Sequence, residues 1–310
     1  MSGLETARAL GQSPVGSIGN TPLLRLTRVA AALPAGVRLL AKAEWMNPGG
    51  SVKDRPAAFM ILDGERRGAL SPRKTIIDAT SGNTGLAYAM IGAAQGYRVK
   101  LCVPRNTDPG LLGTLRAYGA ELVLTDAAAG MDGASREVQR LVAASPADYF
   151  FPDQLNNEAN WKSHYEGTAN EIWKQTEGAV THFVAGVGTG GTLVGTGRRL
   201  RELNPASRIV CVQPSSPLHG LEGLRHLPTT IVPRIYDPTL VDETVAVQTE
   251  AAQAMAVRLA REEGVFVGVS AGAAVVAALE VASRLQSGVV VTVLPEGGRR
   301  FLGQAFWGNV

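Results

Sequence analysis

Thr75-Ile76-Ile77-Asp78-Ala79-Thr80-Ser81-Gly82-Asn83-Thr84-Gly85 opens as a strand and closes as the start of a helix. Its first five residues are mostly apolar and β-branched, a pattern that suits a strand. The Ser-Gly-Asn turn ends it, and the stretch Thr84–Gln95 carries helical periodicity. Hydroxyls and backbone N–H groups therefore converge at a helix N-terminus, a ready site for a carboxylate. Taken alone, the stretch reads equally well as an ordinary strand–turn–helix cap.

The same strand–turn–helix order repeats through the chain. Further strands are expected at Arg38–Glu44, Arg98–Val103, Glu121–Thr125, His182–Ala185, Arg208–Gln213 and Val289–Leu294. Helices are expected at Pro109–Tyr118, Met131–Ala143, Glu158–Gln175, Leu193–Leu203, Ala251–Glu263 and Ala271–Leu285. Several strands are continuous apolar runs, as in strands covered on both faces. This order predicts an α/β protein with mainly parallel sheets flanked by helices. Pro214–Asp242 breaks the pattern and reads as a long ordered loop, a length often tied to function.

The chain has 310 residues, enough for about two domains and a sizeable core. The turn-like Ser145-Pro146-Ala147-Asp148 suggests a boundary near residues 144–151. Charged residues make up 18% and hydrophobic residues 45%, which argues against disorder. A net charge of +3 with scattered basic residues gives no nucleic-acid signature. Cys102 and Cys211 lie in apolar runs without a CxxC pair, so buried free thiols are expected. His164, His182, His219 and His226 lack metal-ligand spacing, and no metal is expected. The N-terminal residues do not read as a signal peptide, and the apolar run from Val265 to Leu279 is too short to span a membrane. These readings favour a cytoplasmic protein.

Three other stretches complete a chemical pattern. Asn47-Pro48-Gly49-Gly50-Ser51-Val52-Lys53-Asp54-Arg55 places a lysine after a glycine turn at a helix start. Positive helix-end potential and partial burial disfavour an ammonium there, so Lys53 suits a reactive amine that holds pyridoxal phosphate as a Schiff base. Gly186-Val187-Gly188-Thr189-Gly190-Gly191-Thr192 follows a strand and lets amides approach a phosphate. The next strand ends in Gln213-Pro214, without the acidic residue a dinucleotide fold places there, so a phosphate monoester fits better. Val267-Gly268-Val269-Ser270-Ala271-Gly272-Ala273 puts a serine at another helix start, as an N-cap, as a partner for a pyridine nitrogen, or both.

These motifs in this order resemble the cysteine synthase family, the fold type II pyridoxal-phosphate enzymes that perform β-replacement on activated serines. The similarity runs from Ile18-Gly19-Asn20-Thr21-Pro22-Leu23 through Asp153-Gln154-Leu155-Asn156-Asn157 to Leu294-Pro295-Glu296-Gly297-Gly298. The wording of Met46-Asn47-Pro48 and of 153–157 is similar to the B-type enzymes. The resemblance implies a smaller mobile lobe at 45–150 and a larger cofactor-binding lobe at 1–44 and 151–310. It makes Lys53 the cofactor lysine and catalytic base. Asn83 faces the cofactor's phenolic oxygen, Gly188, Thr189, Gly190, Gly191 and Thr192 cradle its phosphate, and Ser270 meets the ring nitrogen. Thr80, Ser81 and Thr84, assisted by Gln154, bind the substrate carboxylate.

The implied reaction replaces the β-substituent of O-acetylserine or O-phosphoserine with a sulfur nucleophile, through a bound aminoacrylate, to give L-cysteine. Arg225, in His219-Gly220-Leu221-Glu222-Gly223-Leu224-Arg225-His226, is a candidate clamp for an anionic leaving group, or a solvated loop arginine. Sulfide, thiosulfate or a protein thiocarboxylate all remain open as sulfur donor. The family resemblance further implies a homodimer, with serine acetyltransferase or a sulfur-carrier protein as candidate partners. The alternatives are a cystathionine β-synthase-like replacement, though no haem segment or C-terminal regulatory module is expected, and a regulatory homologue without turnover. Intact Lys53, Asn83 and Ser270 argue against the latter.

Overall fold

The structure is a computed structural model that describes residues 13–308. Strands are β1 (Leu23–Leu26), β2 (Gly36–Ala43), β3 (Thr75–Ala79), β4 (Arg98–Pro104), β5 (Glu121–Thr125), β6 (Tyr149–Phe150), β7 (His182–Gly186), β8 (Arg208–Pro214), β9 (Glu243–Val247) and β10 (Ser287–Leu294). Helices are α1 (Asp54–Arg66), α2 (Asn83–Gln95), α3 (Pro109–Ala117), α4 (Gly130–Ala144), α5 (Glu158–Ser163), α6 (Ala169–Gln175), α7 (Gly191–Leu203), α8 (Thr249–Glu263), α9 (Val269–Ser283) and α10 (Ala305–Gly308). Each strand and helix expected from the sequence forms, with ends shifted by two residues at most, except that the long helix expected over 158–175 is interrupted.

The chain folds as two compact units. The first runs up to Ile18 and resumes over Asn47–Asn160; the second takes Gly19–Met46 and continues from Trp161. In the first, β3 to β6 form a parallel sheet in the order β5-β4-β3-β6. Apolar residues on one face, Ile76, Leu101 and Val103, pack with Met60 and Ile61 of α1 and with Tyr88 and Ile91 of α2. The other face, Ile77 and Cys102, packs with Ala134 and Val138 of α4. Both faces are covered, which is why β3 and β4 read as apolar runs.

The second unit carries a six-stranded sheet in the order β1-β2-β10-β7-β8-β9. Only β1 is antiparallel to its neighbour. Helix α9, nearly all small apolar residues, lies buried against it. Thr21, in the Asn20-Thr21-Pro22 motif, is tied into this unit by Lys42 of β2. That fully buried ammonium donates to the Thr21 carbonyl (2.6 Å) and to Gln175 Oε1 (2.9 Å), and pairs with Glu171 of α6 (2.7 Å). A buried charge is tolerable because it is met on several sides.

Several features depart from the sequence-based expectation, among them the short strand β6 at the expected boundary. The stretch His164–Thr168 is a π-helical turn between α5 and α6. It lies where α7 approaches closely: a Cβ at Gly195 would strike the Trp161 carbonyl and come within 2.9 Å of His164 Cβ. The long loop ends in β9, an edge strand that buries only Val245 and Val247. Leu23–Leu26 also forms a strand, the short β1. Both cysteines are buried free thiols. Among the described residues, no helix is long and apolar enough to cross a membrane, and no group of His, Cys, Asp and Glu is arranged to hold a metal.

Candidate active site

In the first unit, Lys53 is the residue from which α1 springs. Gly50 takes a left-handed φ of 86°, which a side chain would oppose, and so turns the chain sharply. Asp54 folds back over that turn, its Oδ2 accepting from the Gly49 N–H at 2.5 Å. The Lys53 N–H donates to Ser51 Oγ (3.2 Å), and its carbonyl accepts the first helical bond, from Ala57 (3.1 Å). Ser51, Asp54 and Arg55 around it are buried, while Lys53 itself is half-buried. The backbone is thus held on both sides, and the amine is carried on a fixed stem.

β3 leads into the loop Thr80–Gly82, and α2 starts at Asn83 with no side-chain cap. The Thr80 hydroxyl is used inside the loop, accepting from the Gly82 N–H (3.2 Å) and the Gly85 N–H (3.3 Å). A Cβ at Gly85 would lie 2.6 Å from Thr80 Cγ2, so the tight turn needs that glycine. Ser81 and Asn83 are half-buried at the helix mouth. The Thr84 hydroxyl donates to Gln154 Oε1 at 3.0 Å, which brings Gln154 to this loop. Gln154 follows Asp153, a non-glycine residue at φ 52°, and its carbonyl accepts from Asn160 Nδ2 (2.6 Å).

In the second unit, β7 feeds the loop Val187–Gly190 and then α7. Gly190 takes a φ of 91° and caps α7 without a side-chain hydrogen bond. A Cβ at Gly188 would strike the Gly223 carbonyl. The Thr192 hydroxyl lies 3.3 Å from His164 Nε2, and His164 Nδ1 lies 2.9 Å from Thr168 Oγ1. His164 is a buried residue that sequence reasoning did not single out. It opens the π turn, and such turns recur at functional sites.

Arg225 is half-buried, and its N–H donates to the Val187 carbonyl at 2.9 Å, next to Gly188. Its guanidinium donates to Thr230 Oγ1 at 3.1 Å. Ser270 is the second residue of α9, whose N-cap is Gly268, so Ser270 is not the cap. It is buried, with its hydroxyl 3.4 Å from Glu296 Oε1. Glu296 belongs to the Leu294-Pro295-Glu296-Gly297-Gly298 motif, whose backbone pairs with Val267 and Gly268. Arg300 bridges Glu296 (3.3 Å) and Glu222 (2.7 Å).

A fixed lysine and a glycine-lined helix mouth are what pyridoxal phosphate requires. The residues fit it: Gly188 and Gly190 exclude side chains from the loop, and α7 begins without a side-chain cap. The N–H groups at a helix mouth of this kind suit an anion such as a phosphate.

A family model described as pyridoxal-phosphate dependent enzyme matches residues 15–296. A cysteine synthase from Aquifex aeolicus is 48% identical over 297 residues, covering 94% of this chain and 91% of that protein. The chain belongs to the cysteine synthase family of pyridoxal-phosphate-dependent enzymes. Cysteine synthase B of Escherichia coli is 42% identical over 94% of this chain and 95% of its own length. Among solved structures, cysteine synthase (OASS) from Entamoeba histolytica superposes with a TM-score of 0.92 at 34% identity, covering 95% of this chain and 90% of that one. An O-ureido-L-serine synthase superposes at 0.89 with 37% identity, covering 96% and 95%. Members of the cysteine synthase family thus share both the fold and the sequence of this chain almost end to end.

Proposed function

We propose that this chain makes L-cysteine by exchanging the β-substituent of an activated L-serine for a sulfur nucleophile, with O-phosphoserine served at least as well as O-acetylserine. The observation that carries the first part is Lys53, held at the head of α1 by the Gly50 turn and Asp54, in a chain matching cysteine synthases over most of its length. The second part rests on Arg225, whose backbone is bonded to Val187 beside the glycine loop.

Pyridoxal phosphate, when bound, supplies an electron sink for the charge that develops at the substrate Cα. Gly188 to Thr192 and the α7 N-terminus hold its phosphate, Asn83 its phenolic oxygen and Ser270 its ring nitrogen. Ser270 is a neutral donor, and it leaves the sink weaker than a carboxylate partner would. Loss of the Cα proton is then best coupled to departure of the leaving group. The Lys53 amine takes the Cα proton as general base and returns it after sulfur has added at Cβ. The Thr80 and Ser81 hydroxyls and the N–H groups of Ser81 and Thr84 receive the carboxylate, and Gln154, which accepts from the Thr84 hydroxyl, assists. Arg225 pairs with the departing phosphate. Atoms balance: activated serine and hydrogen sulfide give cysteine and the free acid of the leaving group.

We place the enzyme in the cytoplasm as a homodimer, with serine acetyltransferase or a sulfur-carrier protein as candidate partners. Steady-state turnover with O-acetylserine and O-phosphoserine side by side, with sulfide as acceptor, tests the reading. Cysteine formation from both is expected; none from either overturns the function, and turnover of O-acetylserine alone overturns the leaving-group assignment.

A further inference from the structure

Below the Thr80–Thr84 loop lies a group the reaction does not use. Asp78, on β3 two residues before Thr80, is 4% exposed. Its Oδ1 accepts from the Ala79 N–H (2.7 Å). Tyr88 of α2 faces it, fully buried, yet neither Asp78 Oδ2 nor the Tyr88 hydroxyl settles into a well-formed hydrogen bond. Buried polar atoms left this way are rare and costly. Asp153, the residue at φ 52° beside Gln154, adds a like charge.

No cation among the described residues offsets Asp78. On the neighbouring strand, Lys100 is engaged by Glu121 (2.9 Å) and Tyr149 (3.2 Å), and burial pushes the Cys102 thiol up to about 11, so it stays neutral. On the sheet's other side, Glu137 and Arg140 of α4 pair with each other at 2.7 Å. Tyr88 likewise stays a neutral phenol, raised chiefly by burial. Burial first, opposed by the Ala79 N–H and by the nearby Tyr88 hydroxyl, raises Asp78 from the usual carboxylate range to about 7.

We propose that Asp78 is a positioning acid for the substrate-carboxylate loop: neutral, it leaves the loop's partial positive charge free to hold an anion; ionised, it opposes that anion from beneath. Two residues of strand put it roughly 7 Å below Thr80. At that range, through partly polar protein, a full charge changes anion affinity by roughly tenfold or more. The consequence is an amino-acid affinity that weakens as pH rises through neutrality, without any change in the chemical step. This rests on the reading of Thr80, Ser81 and Thr84 as the carboxylate site.

The test uses the holoenzyme and L-serine, which carries the carboxylate and the amine but no leaving group. Its dissociation constant is measured by calorimetry from pH 6 to 8.5 for the wild type and for Asp78→Asn, which mimics the neutral acid. Titration of the serine amine is common to both proteins, so the ratio of their constants isolates Asp78. The expected ratio is near one at pH 6, with Asp78→Asn binding roughly tenfold tighter by pH 8. Tyr88→Phe removes a partner that favours the anion, so the pH at which wild-type affinity falls should move up. That variant carries the test if Asp78→Asn does not fold. A ratio that is flat with pH, or an inflection that Tyr88→Phe leaves in place, overturns the proposal. Thr84→Ala separates the two readings: if it leaves L-serine binding intact, the carboxylate site is misassigned; if it weakens binding while the Asp78 ratio is flat, only the role of Asp78 fails.

Discussion

Thr84 and Gln154, 70 residues apart in the chain, meet through a 3.0 Å hydrogen bond from the threonine hydroxyl to the glutamine carbonyl oxygen. That bond fixes which way the Thr84 hydroxyl points, at the first turn of the helix proposed to receive the substrate carboxylate. A neutral hydrogen bond is worth about 1 kcal/mol net. Gln154→Ala is therefore expected to raise the KM for the amino-acid substrate roughly three- to tenfold with kcat little changed. A fall in kcat at constant KM would assign Gln154 to the chemical step.

Lys53 carries the second expectation. Lys53→Ala should fold, because the α1 start is held by Gly50 and the Asp54–Gly49 bond. Turnover should fall by about a thousandfold or more, since base and covalent anchor go together. Borohydride reduction and peptide mapping of the wild type should place the cofactor on Lys53. Labelling at another lysine would sink the assignment.

Gly190 makes a sharper test of the phosphate loop. Its φ of 91° strains any L side chain, and a Cβ there lies 3.4 Å from Tyr236. Gly190→Ala should cost cofactor affinity through backbone strain, and Gly190→Asp more, because a carboxylate would then face the phosphate. Reconstitution titrations of the apo-protein, followed by absorbance, should rank wild type above alanine above aspartate. Tight NAD binding in place of pyridoxal phosphate would contradict the loop's role.

Arg225→Ala tests the leaving group. A charge-assisted guanidinium–phosphate contact is worth roughly 1.5–3 kcal/mol, or on the order of ten- to a hundredfold in kcat/KM. O-phosphoserine should lose about that factor, and O-acetylserine should barely change. Equal losses would mean that Arg225 only supports the loop through Val187 and Thr230, where its backbone and side chain are bonded.

Stability should carry the mark of Asp78 as well. Its carboxyl titrates near 3.8 in the unfolded chain and near 7 when folded, raised by burial. Between those values the folded state holds the proton and the unfolded state does not. Stability from this group therefore falls as pH rises from about 4 to 7 and levels off above. At about 1.4 kcal/mol per pKa unit the full loss is on the order of 4 kcal/mol. Urea denaturation at pH 5 and pH 8 should show Asp78→Asn gaining on the wild type as pH rises. A difference independent of pH would mean that Asp78 titrates like an exposed carboxyl.

Local chemistry explains why so much was legible in the chain itself. Strand, glycine turn and helix follow one another within a dozen residues at 75–85 and again at 182–192, so periodicity and turn residues alone specify α/β units. Lys53 stands out because a lysine beside Gly49-Gly50 at a helix start has a chemical use, and the surrounding motifs resemble those of a known family. Other features depend on neighbours distant in sequence. β9 pairs with β8 at the sheet edge and buries only two valines, too few to announce a strand. The π turn at His164–Thr168 sits where α7 presses Gly195 against Trp161, and the imidazole contact with Thr192 accompanies that turn. Asp78 reads as one more polar residue in a strand. Only its burial beside Tyr88, with no cation opposite, makes it an acid that titrates near neutrality, because desolvation and pairing are set by what the fold packs around a group and not by its neighbours in sequence.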